Sequence, residues 1–346
     1  MRITELEAGG GHELLLECAE ESAGYRGLIA IHSTRLGPAV GGTRFWNYAS
    51  VEEAVTDALR LSRGMTYKNA LAGLPLGGGK SIIIDDNRTR EREPLLRAHG
   101  RFVETLGGRY ITAEDVGTSP ADMEIVRRET RHVAGLLERS GDPSPVTAHG
   151  VVRAIQASAR FRWGSDELKG RRVAVQGLGH VGYNLARELR ASGARLFVSD
   201  TDEERVRRAV EEFGAAQAAP WEIYSVGADI FAPCALGGVL NDETIPRLKV
   251  EIVAGAANNQ LLEARHGDAL AARGILYAPD YVANAGGIIN GCVELLGWQP
   301  SEARRKVEAI YDTLLNVFRI ARADSVPPHV AADRLAEERL NKRSQK

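Results

Sequence analysis

Val173-Ala-Val-Gln-Gly177-Leu-Gly179-His-Val-Gly182 is a GxGxxG set directly after a short apolar run and directly before a helical pattern that continues to Ala191. Glycine at 177 permits the tight turn out of a strand. Glycine at 179 removes the side chain that would stand in the way of a pyrophosphate, and glycine at 182 lets helix and strand approach closely. The phosphates would then rest on the helix N-terminus, where Leu178, His180 and Val181 fill the positions between the glycines. The next apolar run, Arg195 to Ser199, leads into Asp200, 23 positions after Gly177, where a ribose-binding carboxylate is expected. A carboxylate there accepts from a ribose 2′-hydroxyl and repels a 2′-phosphate, which selects NAD. Arg205 and Arg207 read as solvated helix charges.

Working outward from this turn, Ile230 to Ala232, Ile252 to Gly255 and Ile275 to Tyr277 are further strand candidates, each followed by a turn or helix pattern. Such alternation predicts a parallel, doubly wound sheet. Upstream, Glu138-Arg-Ser-Gly-Asp-Pro-Ser-Pro145 is dense in breakers and reads as a linker, with Thr147 as N-cap of a helix to about Phe161. Before it, Leu28 to Ile31, Ser81 to Ile84 and Tyr110 to Thr112 alternate with helical patterns, which predicts an α/β or α+β domain. Ser50 with Glu53 forms a capping box for a helix whose apolar face runs to Gly64 and delivers the chain to Lys68. The amphipathic C-terminal helices are expected at Ser301 to Ala323 and His329 to Leu340. For 346 residues two domains are the natural count. The fold expectation is α/β: a substrate and oligomerisation domain over 1–135, a Rossmann NAD-binding domain over 136–327, and a C-terminal helix over 328–346 packing back on the first domain.

Charge excludes some classes of partner. Lys plus Arg number 44 against 46 Asp plus Glu, so no global field recruits nucleic acid or an anionic membrane. The expected partner is a small molecule. Cys18, Cys234 and Cys292 are scattered without a CxxC spacing, which points to a reducing, cytoplasmic compartment and to no metal site. The first 21 residues carry acidic side chains and no signal-peptide core, and no stretch reaches transmembrane length.

Of the 44 basic residues only seven are lysine. Two of them, Lys68 and Lys80, stand in the glycine-rich, weakly charged part of the first half. Arginine stays protonated, whereas lysine loses its proton readily on burial, so chemistry that needs a neutral amine must use lysine. Gly73-Leu-Pro-Leu-Gly77-Gly-Gly-Lys80-Ser81 looks like a phosphate-binding P-loop, but its glycine spacing is wrong and a strand follows Lys80 where that motif needs a helix. The glycines are read instead as letting backbone come close to a small ligand. The carboxylate candidate is Asp115, just beyond a short strand, with Glu114 as its competitor. A nicotinamide domain joined to two such lysines and an aspartate predicts hydride transfer at a carbon bearing an amine or hydroxyl.

At these residues the sequence resembles the leucine, valine and phenylalanine dehydrogenases, a branch of the glutamate dehydrogenase superfamily. The resemblance is carried by Gly37-Pro-Ala-Val-Gly-Gly-Thr-Arg44, Gly64-Met-Thr-Tyr-Lys68, Gly77-Gly-Gly-Lys80, Thr112-Ala-Glu-Asp115, the Gly177 turn, Ala232-Pro-Cys-Ala-Leu-Gly237, Gly255-Ala-Ala-Asn-Asn-Gln260 and Ala278-Pro-Asp-Tyr-Val-Ala-Asn-Ala-Gly-Gly287. It implies reversible NAD-dependent oxidative deamination of an L-amino acid to a 2-oxo acid and ammonia, in a cleft between two domains of a homo-oligomer. By the same resemblance Lys68 binds the substrate carboxylate, Lys80 is the catalytic lysine that activates water, and Asp115 exchanges protons with the amine. Gly41 and Gly42 border the substrate, Asn258 and Asn259 form a pair near nicotinamide and substrate, and Thr147 contacts the cofactor.

The resemblance also implies a side-chain pocket of Val40, Ala113, Ile288 and Gly291. Glutamate-specific members carry a lysine at the position of Val40, so an apolar substrate is expected. Leucine-type members tend to have a branched residue where Gly291 stands, and Leu296-Gly-Trp298 looks like phenylalanine enzymes; against that, Ile288 is bulky, and Gly41-Gly-Thr-Arg with Tyr67-Lys-Asn is leucine-like. The expected order is branched-chain first and aromatic second. A reading of another class is a non-catalytic NAD-binding regulator, which would need only the Gly177 motif.

Overall fold

Leu14–Glu20 is a strand covered on part of its surface, whereas Tyr25–Ser33 is buried along nearly its whole length, the difference between the margin and the middle of a sheet. The computed structural model describes residues 1–85, 91–136 and 141–343. Two units divide it: Met1–Gly141 with Gly291–Trp298 and Ala336–Lys346, and Asp142–Asn290 with Gln299–Leu335. The predicted linker at Glu138 to Pro145 lies in part outside the described residues, and its last two residues open a helix.

In the first unit β1 (Arg2–Glu5), β2 (Leu14–Glu20), β3 (Tyr25–Ser33), β4 (Ala39–Trp46), β5 (Gly77–Ile84) and β6 (Tyr110–Glu114) make one sheet in the order β1-β2-β3-β5-β4-β6. Its first three pairings are antiparallel and its last two parallel. Side chains of a strand alternate between faces, so Leu28, Ala30 and Ile82 meet Ala54 and Ala58 of α1 (Val51–Leu71). Ile29, Ile31 and Ile83 meet Leu95 and Phe102 of α2 (Glu93–Glu104) and Met123 and Val126 of α3 (Pro120–Arg127) on the other face. Ser50 Oγ accepts from the Glu53 N–H at 3.2 Å, and the Glu53 carboxylate reaches the Ala49 N–H at 2.9 Å, one residue short of the expected box. The helix does not stop at Gly64. Buried Thr66, Tyr67, Ala70 and Leu71 carry it seven residues further, and their packing outweighs the roughly 1 kcal/mol that glycine costs in a helix interior.

The second unit holds β7 (Arg172–Gln176), β8 (Arg195–Ser199), β9 (Ala216–Gln217), β10 (Ile230–Pro233), β11 (Ile252–Val253) and β12 (Leu276–Tyr277). All pair in parallel in the order β12-β11-β10-β7-β8-β9, the strand order of the dinucleotide-binding fold. Its helices begin with α4 (Ser144–Trp163), α5 (His180–Ala191), α6 (Glu203–Phe213) and α7 (Arg265–Ala272). They continue with α8 (Asp280–Ala283), α10 (Pro300–Glu308) and α11 (Ile310–Ala323), while α9 (Gly286–Leu295) and α12 (Pro328–Arg343) each begin in this unit and end in residues of the first. Two expectations need correction. Thr147 is not an N-cap: Pro145 in the first turn and the Ser144 N–H bonded to Asp142 Oδ1 at 2.8 Å start α4 earlier, and Thr147 Oγ1 donates back to the Pro143 carbonyl at 2.9 Å. The helix expected from Ser301 to Ala323 is two, parted at Ala309. Along α12, the Arg339 guanidinium donates to the Ala70 and Leu71 carbonyls at 3.1 and 2.6 Å, capping the end of α1.

Candidate active site

The pleat puts Gly78, Lys80 and Ile82 on one face of β5, with Arg44 on the same side of β4 opposite Ile82. Lys80 is 5% exposed, and its Nζ donates to Asp115 Oδ2 at 2.6 Å, just beyond the end of β6. Burial pulls the Lys80 ammonium below its ordinary range, and Asp115 works against that pull. Burial alone would raise Asp115, but Lys80 and Arg44 outweigh it and hold the carboxyl low. Arg44 Nε donates to the same Oδ2 at 3.1 Å. The Asp115 N–H donates to Thr118 Oγ1 at 2.9 Å, and that hydroxyl bonds the Thr43 carbonyl at 2.9 Å, so the carboxylate loop is tied to β4. Glu114, the competitor, is the more exposed of the two, and partial burial of its carboxyl together with the Asp115 charge raises it.

Glycines make this approach of strands possible, and here the sequence expectation is corrected. Gly77, Gly78 and Gly79 lie within β5 and face protein, not ligand space: a Cβ at Gly78 would stand 2.1 Å from the Thr66 nitrogen of α1, and one at Gly79 would stand 2.7 Å from the Tyr110 ring. At Gly41 it would be 1.7 Å from the Gly79 carbonyl oxygen, and at Gly42 2.4 Å from the Glu114 oxygen and 2.8 Å from Asp115 Cβ. The Thr66 to Gly78 approach lies two residues before Lys68 on α1 and two before Lys80 on β5. Lys68 itself is half-buried in the last turn of α1, where the negative end of the helix favours a cation.

Under the opposite face lies a buried polar layer that the sequence reading missed. Thr43 Oγ1 bonds Ser81 Oγ at 2.9 Å, His99 Nε2 at 3.0 Å and Thr112 Oγ1 at 2.5 Å. Tyr25 Oη bonds His99 Nδ1 at 2.9 Å, and Tyr110 Oη donates to the Gly41 carbonyl at 2.5 Å. Burial pushes His99 down to about 3, so its ring is neutral and its two nitrogens serve the network.

Of the pocket candidates in this unit, Val40 is 1% exposed while Ala113 and Gly291 are half-buried. A Cβ at Gly291 would meet only Leu295, at 3.9 Å, so the position has room. Ile288, half-buried on α9, belongs to the second unit.

In that unit Gly177 has φ +91°, the left-handed turn that glycine allows, and a Cβ at Gly182 would fall 2.0 Å from the Gly177 oxygen. A Cβ at Gly179 would meet nothing, and α5 starts there with no side-chain cap, leaving its first N–H groups to a ligand. Leu178 is buried, Val181 half-buried and His180 exposed. The Leu178 N–H donates to Asp200 Oδ2 at 2.6 Å and the Asp202 N–H to Oδ1 at 2.9 Å, so each carboxylate oxygen keeps a lone pair for a ribose hydroxyl. Arg205 lies 3.9 Å from Asp200, and so does not serve only as a distant helix charge. Thr147 sits where α4 meets α9: its Oγ1 would be 3.3 Å from a Cβ on Gly287. Asn258 is exposed, and its Oδ1 accepts from Asn284, a buried residue not singled out from sequence, at 2.7 Å. Asn259 holds a left-handed φ of 51°, with its carbonyl accepting from the Gly238 N–H at 2.8 Å.

A sheet of dinucleotide-binding strand order joined to an α/β unit with a lysine–aspartate pair is the architecture of a two-domain dehydrogenase. Residues 15–132 match the family description Glu/Leu/Phe/Val dehydrogenase, dimerisation domain, and residues 198–346 match Glutamate/Leucine/Phenylalanine/Valine dehydrogenase. Leucine dehydrogenase of Thermoactinomyces intermedius is 55% identical over 343 residues, covering 98% of this chain and 94% of that protein. Valine dehydrogenase of Streptomyces virginiae is 49% identical over 338 residues, 96% of this chain and 94% of its own. The crystal structure of L-tryptophan dehydrogenase from Nostoc punctiforme matches with a TM-score of 0.88 at 49% identity, covering 97% of each chain. The chain belongs to the Glu/Leu/Phe/Val dehydrogenase family and is an amino-acid dehydrogenase. With that, the reading as a non-catalytic regulator falls away.

Proposed function

We propose that the chain catalyses reversible, NAD-dependent oxidative deamination of an apolar L-amino acid, with leucine, valine and isoleucine as preferred substrates. The observation that carries the reading is the buried Lys80–Asp115 pair at 2.6 Å. The Gly177–Gly182 turn and Asp200 would hold NAD, which would supply the hydride acceptor. Thr147 and Asn258 lie in the same unit and would complete its site, while Asn259 is assigned to the substrate. Lys68 holds the substrate carboxylate, and Gly41 and Gly42 border the substrate.

Asp115 first takes a proton from the substrate ammonium, which frees the nitrogen lone pair that assists loss of hydride from Cα. Lys80, as the neutral amine, then accepts a proton from water as the water oxygen attacks the iminium carbon. Asp115 returns its proton to the carbinolamine nitrogen. The C–N bond breaks with its electron pair leaving on ammonia, and the hydroxyl proton passes to Asp115 as the carbonyl forms. Both groups then release their protons to solvent.

Val40, Ala113 and Gly291 of the first unit are the residues assigned to the substrate side chain, and Ile288 is the candidate for that role from the second unit. The room at Gly291 favours one second reading, an aromatic substrate. The chain works as a homo-oligomer in the cytoplasm: supporting this, residues 15–132 match a dimerisation domain and the three cysteines are scattered without a CxxC spacing.

NADH formation with leucine, valine, isoleucine, phenylalanine, tryptophan and glutamate tests the reading. The highest kcat/KM is expected on a branched-chain substrate, with no turnover of glutamate. Gly291→Val is expected to lower the phenylalanine-to-valine ratio by roughly 10-fold or more, the discrimination that a few methylenes provide. A preference for tryptophan or phenylalanine in the unmodified protein would move the assignment to the aromatic class.

A further inference from the structure

Both cations at Asp115 bind one oxygen. Lys80 Nζ and Arg44 Nε share Oδ2, at 2.6 and 3.1 Å, and among the described residues nothing hydrogen bonds Oδ1. Arg44 is held from behind: its Nη1 donates to Asp57 Oδ2 at 2.7 Å, the same oxygen takes the Tyr48 hydroxyl at 2.7 Å, and Arg60 holds Asp57 Oδ1 at 3.0 Å. Arg44 and Asp57 are largely buried, so this chain from α1 through β4 to the end of β6 is screened less than a surface ion pair. Among the described residues, the charged groups that bear on Asp115 include Lys80 from β5, Arg44 from β4 with Asp57 of α1 behind it, and the neighbouring Glu114 on β6.

We propose that Arg44 is a positioning residue for Asp115, fixing Oδ2 so that Oδ1 is the oxygen that exchanges the proton with the substrate nitrogen, and supplying the permanent counter-charge that lets Lys80 give up its own. The inference rests on the proton roles given above to Lys80 and Asp115. An aspartate paired with lysine alone would oppose deprotonation of that lysine, because the carboxylate would be left bare in a buried place. Guanidinium does not titrate in this range. With Arg44 in place Asp115 keeps a partner when Lys80 is neutral, and the arginine charge itself disfavours a second cation nearby. A carboxylate with two equivalent oxygens could also turn and offer either; two donors on Oδ2 remove that freedom.

Full-length Arg44→Gln, Arg44→Lys and Asp57→Asn test this by the pH dependence of kcat/KM for leucine oxidation and by NADH binding. In Arg44→Gln, kcat is expected to fall about 10- to 100-fold with leucine KM and NADH affinity within about threefold. The acid limb is expected to move to higher pH by about one unit, because Lys80 then holds its proton more tightly. Arg44→Lys keeps the charge and is expected to recover part of both effects. Asp57→Asn, which leaves Arg44 in place but loosens it, is expected to shift the limb in the same direction by less, and it carries the test should Arg44→Gln fail to fold. An acid limb that stays put in Arg44→Gln, or in Asp57→Asn where that variant stands in, overturns the proposal, as does a large rise in KM at unchanged kcat, which would make Arg44 a substrate ligand. Lys80→Ala separates the two levels. If it stays active, the proton roles themselves are wrong; if it is inactive while the limb stays put, only the role of Arg44 is lost.

Discussion

Replacing Lys80 by arginine keeps a cation next to Asp115 and removes a base, since guanidinium cannot surrender its proton at working pH. Lys80→Arg is therefore expected to be nearly as damaging as Lys80→Ala, a loss of about 10²- to 10⁴-fold in kcat with NADH binding retained, as read by steady-state kinetics and fluorescence titration. Activity within a few-fold of the unmodified protein would remove Lys80 from the chemistry. At this scale the sequence was informative where residue choice was unusual. Lysine is rare in the chain, so two lysines among glycines stood out, and Asp115 followed from its place after a strand. Arg44 gave no such signal, being one arginine among many, and its meeting with Asp115 depends on a strand pairing that nothing local to either residue encodes. The buried layer around Thr43 and His99 was hidden for the same reason: its six members come from β3, β4, β5, β6 and α2.

Helix α1 and strand β5 carry glycines of opposite kind. A Cβ on Gly64 would meet nothing, so Gly64→Ala is expected to raise unfolding free energy by about 0.5–1 kcal/mol through helix propensity, whereas Gly78→Ala must push α1 off the sheet and is expected to cost about 1–3 kcal/mol. Denaturant melts of the two variants check both signs. Another inter-element device is His149 of α4, whose ring nitrogens reach Glu188 of α5 at 2.9 Å and Glu308 of α10 at 2.7 Å. The bond to Glu188, and then that to Glu308, raises the imidazole to about 9. Its contribution to stability is thus full below the ordinary histidine range near 6.5 and fades as pH rises through about 9. The stability gap between the unmodified protein and His149→Ala, measured in melts from acid to alkaline pH, is expected to close above that point. Elements of the second unit were the most legible, because parallel strands buried on both faces read as continuous apolar runs. Strand β4 was not, since Gly41-Gly-Thr-Arg44 lacks that signature and its pairing comes from neighbours on both sides. Strand β9, two exposed residues, carries almost no pattern at all.

Across the whole molecule, the dinucleotide turn and the lysine–aspartate pair belong to separate units of the chain. Cofactor binding and proton transfer should therefore be separable by mutation. A ligand that binds only the folded state stabilises it by about 2.7 kcal/mol at a hundredfold excess over its dissociation constant. NADH is expected to raise the melting temperature of Lys80→Ala as much as that of the unmodified protein, while Asp200→Ala shows a smaller rise; a lost shift in Lys80→Ala would mean that the two sites are coupled. One feature of the first unit bears on how such an enzyme could be re-engineered. Gly41, Gly42, Gly78 and Gly79 each lack the space for a single added carbon, and most of the atoms in the way are backbone, which no partner substitution can shrink. A saturation library over these codons should return glycine almost alone after selection for activity. Diversity is better placed at positions such as Gly291, where the same added carbon finds room, so this scaffold's tolerance to directed evolution is set by strand crossings more than by the chemistry they support.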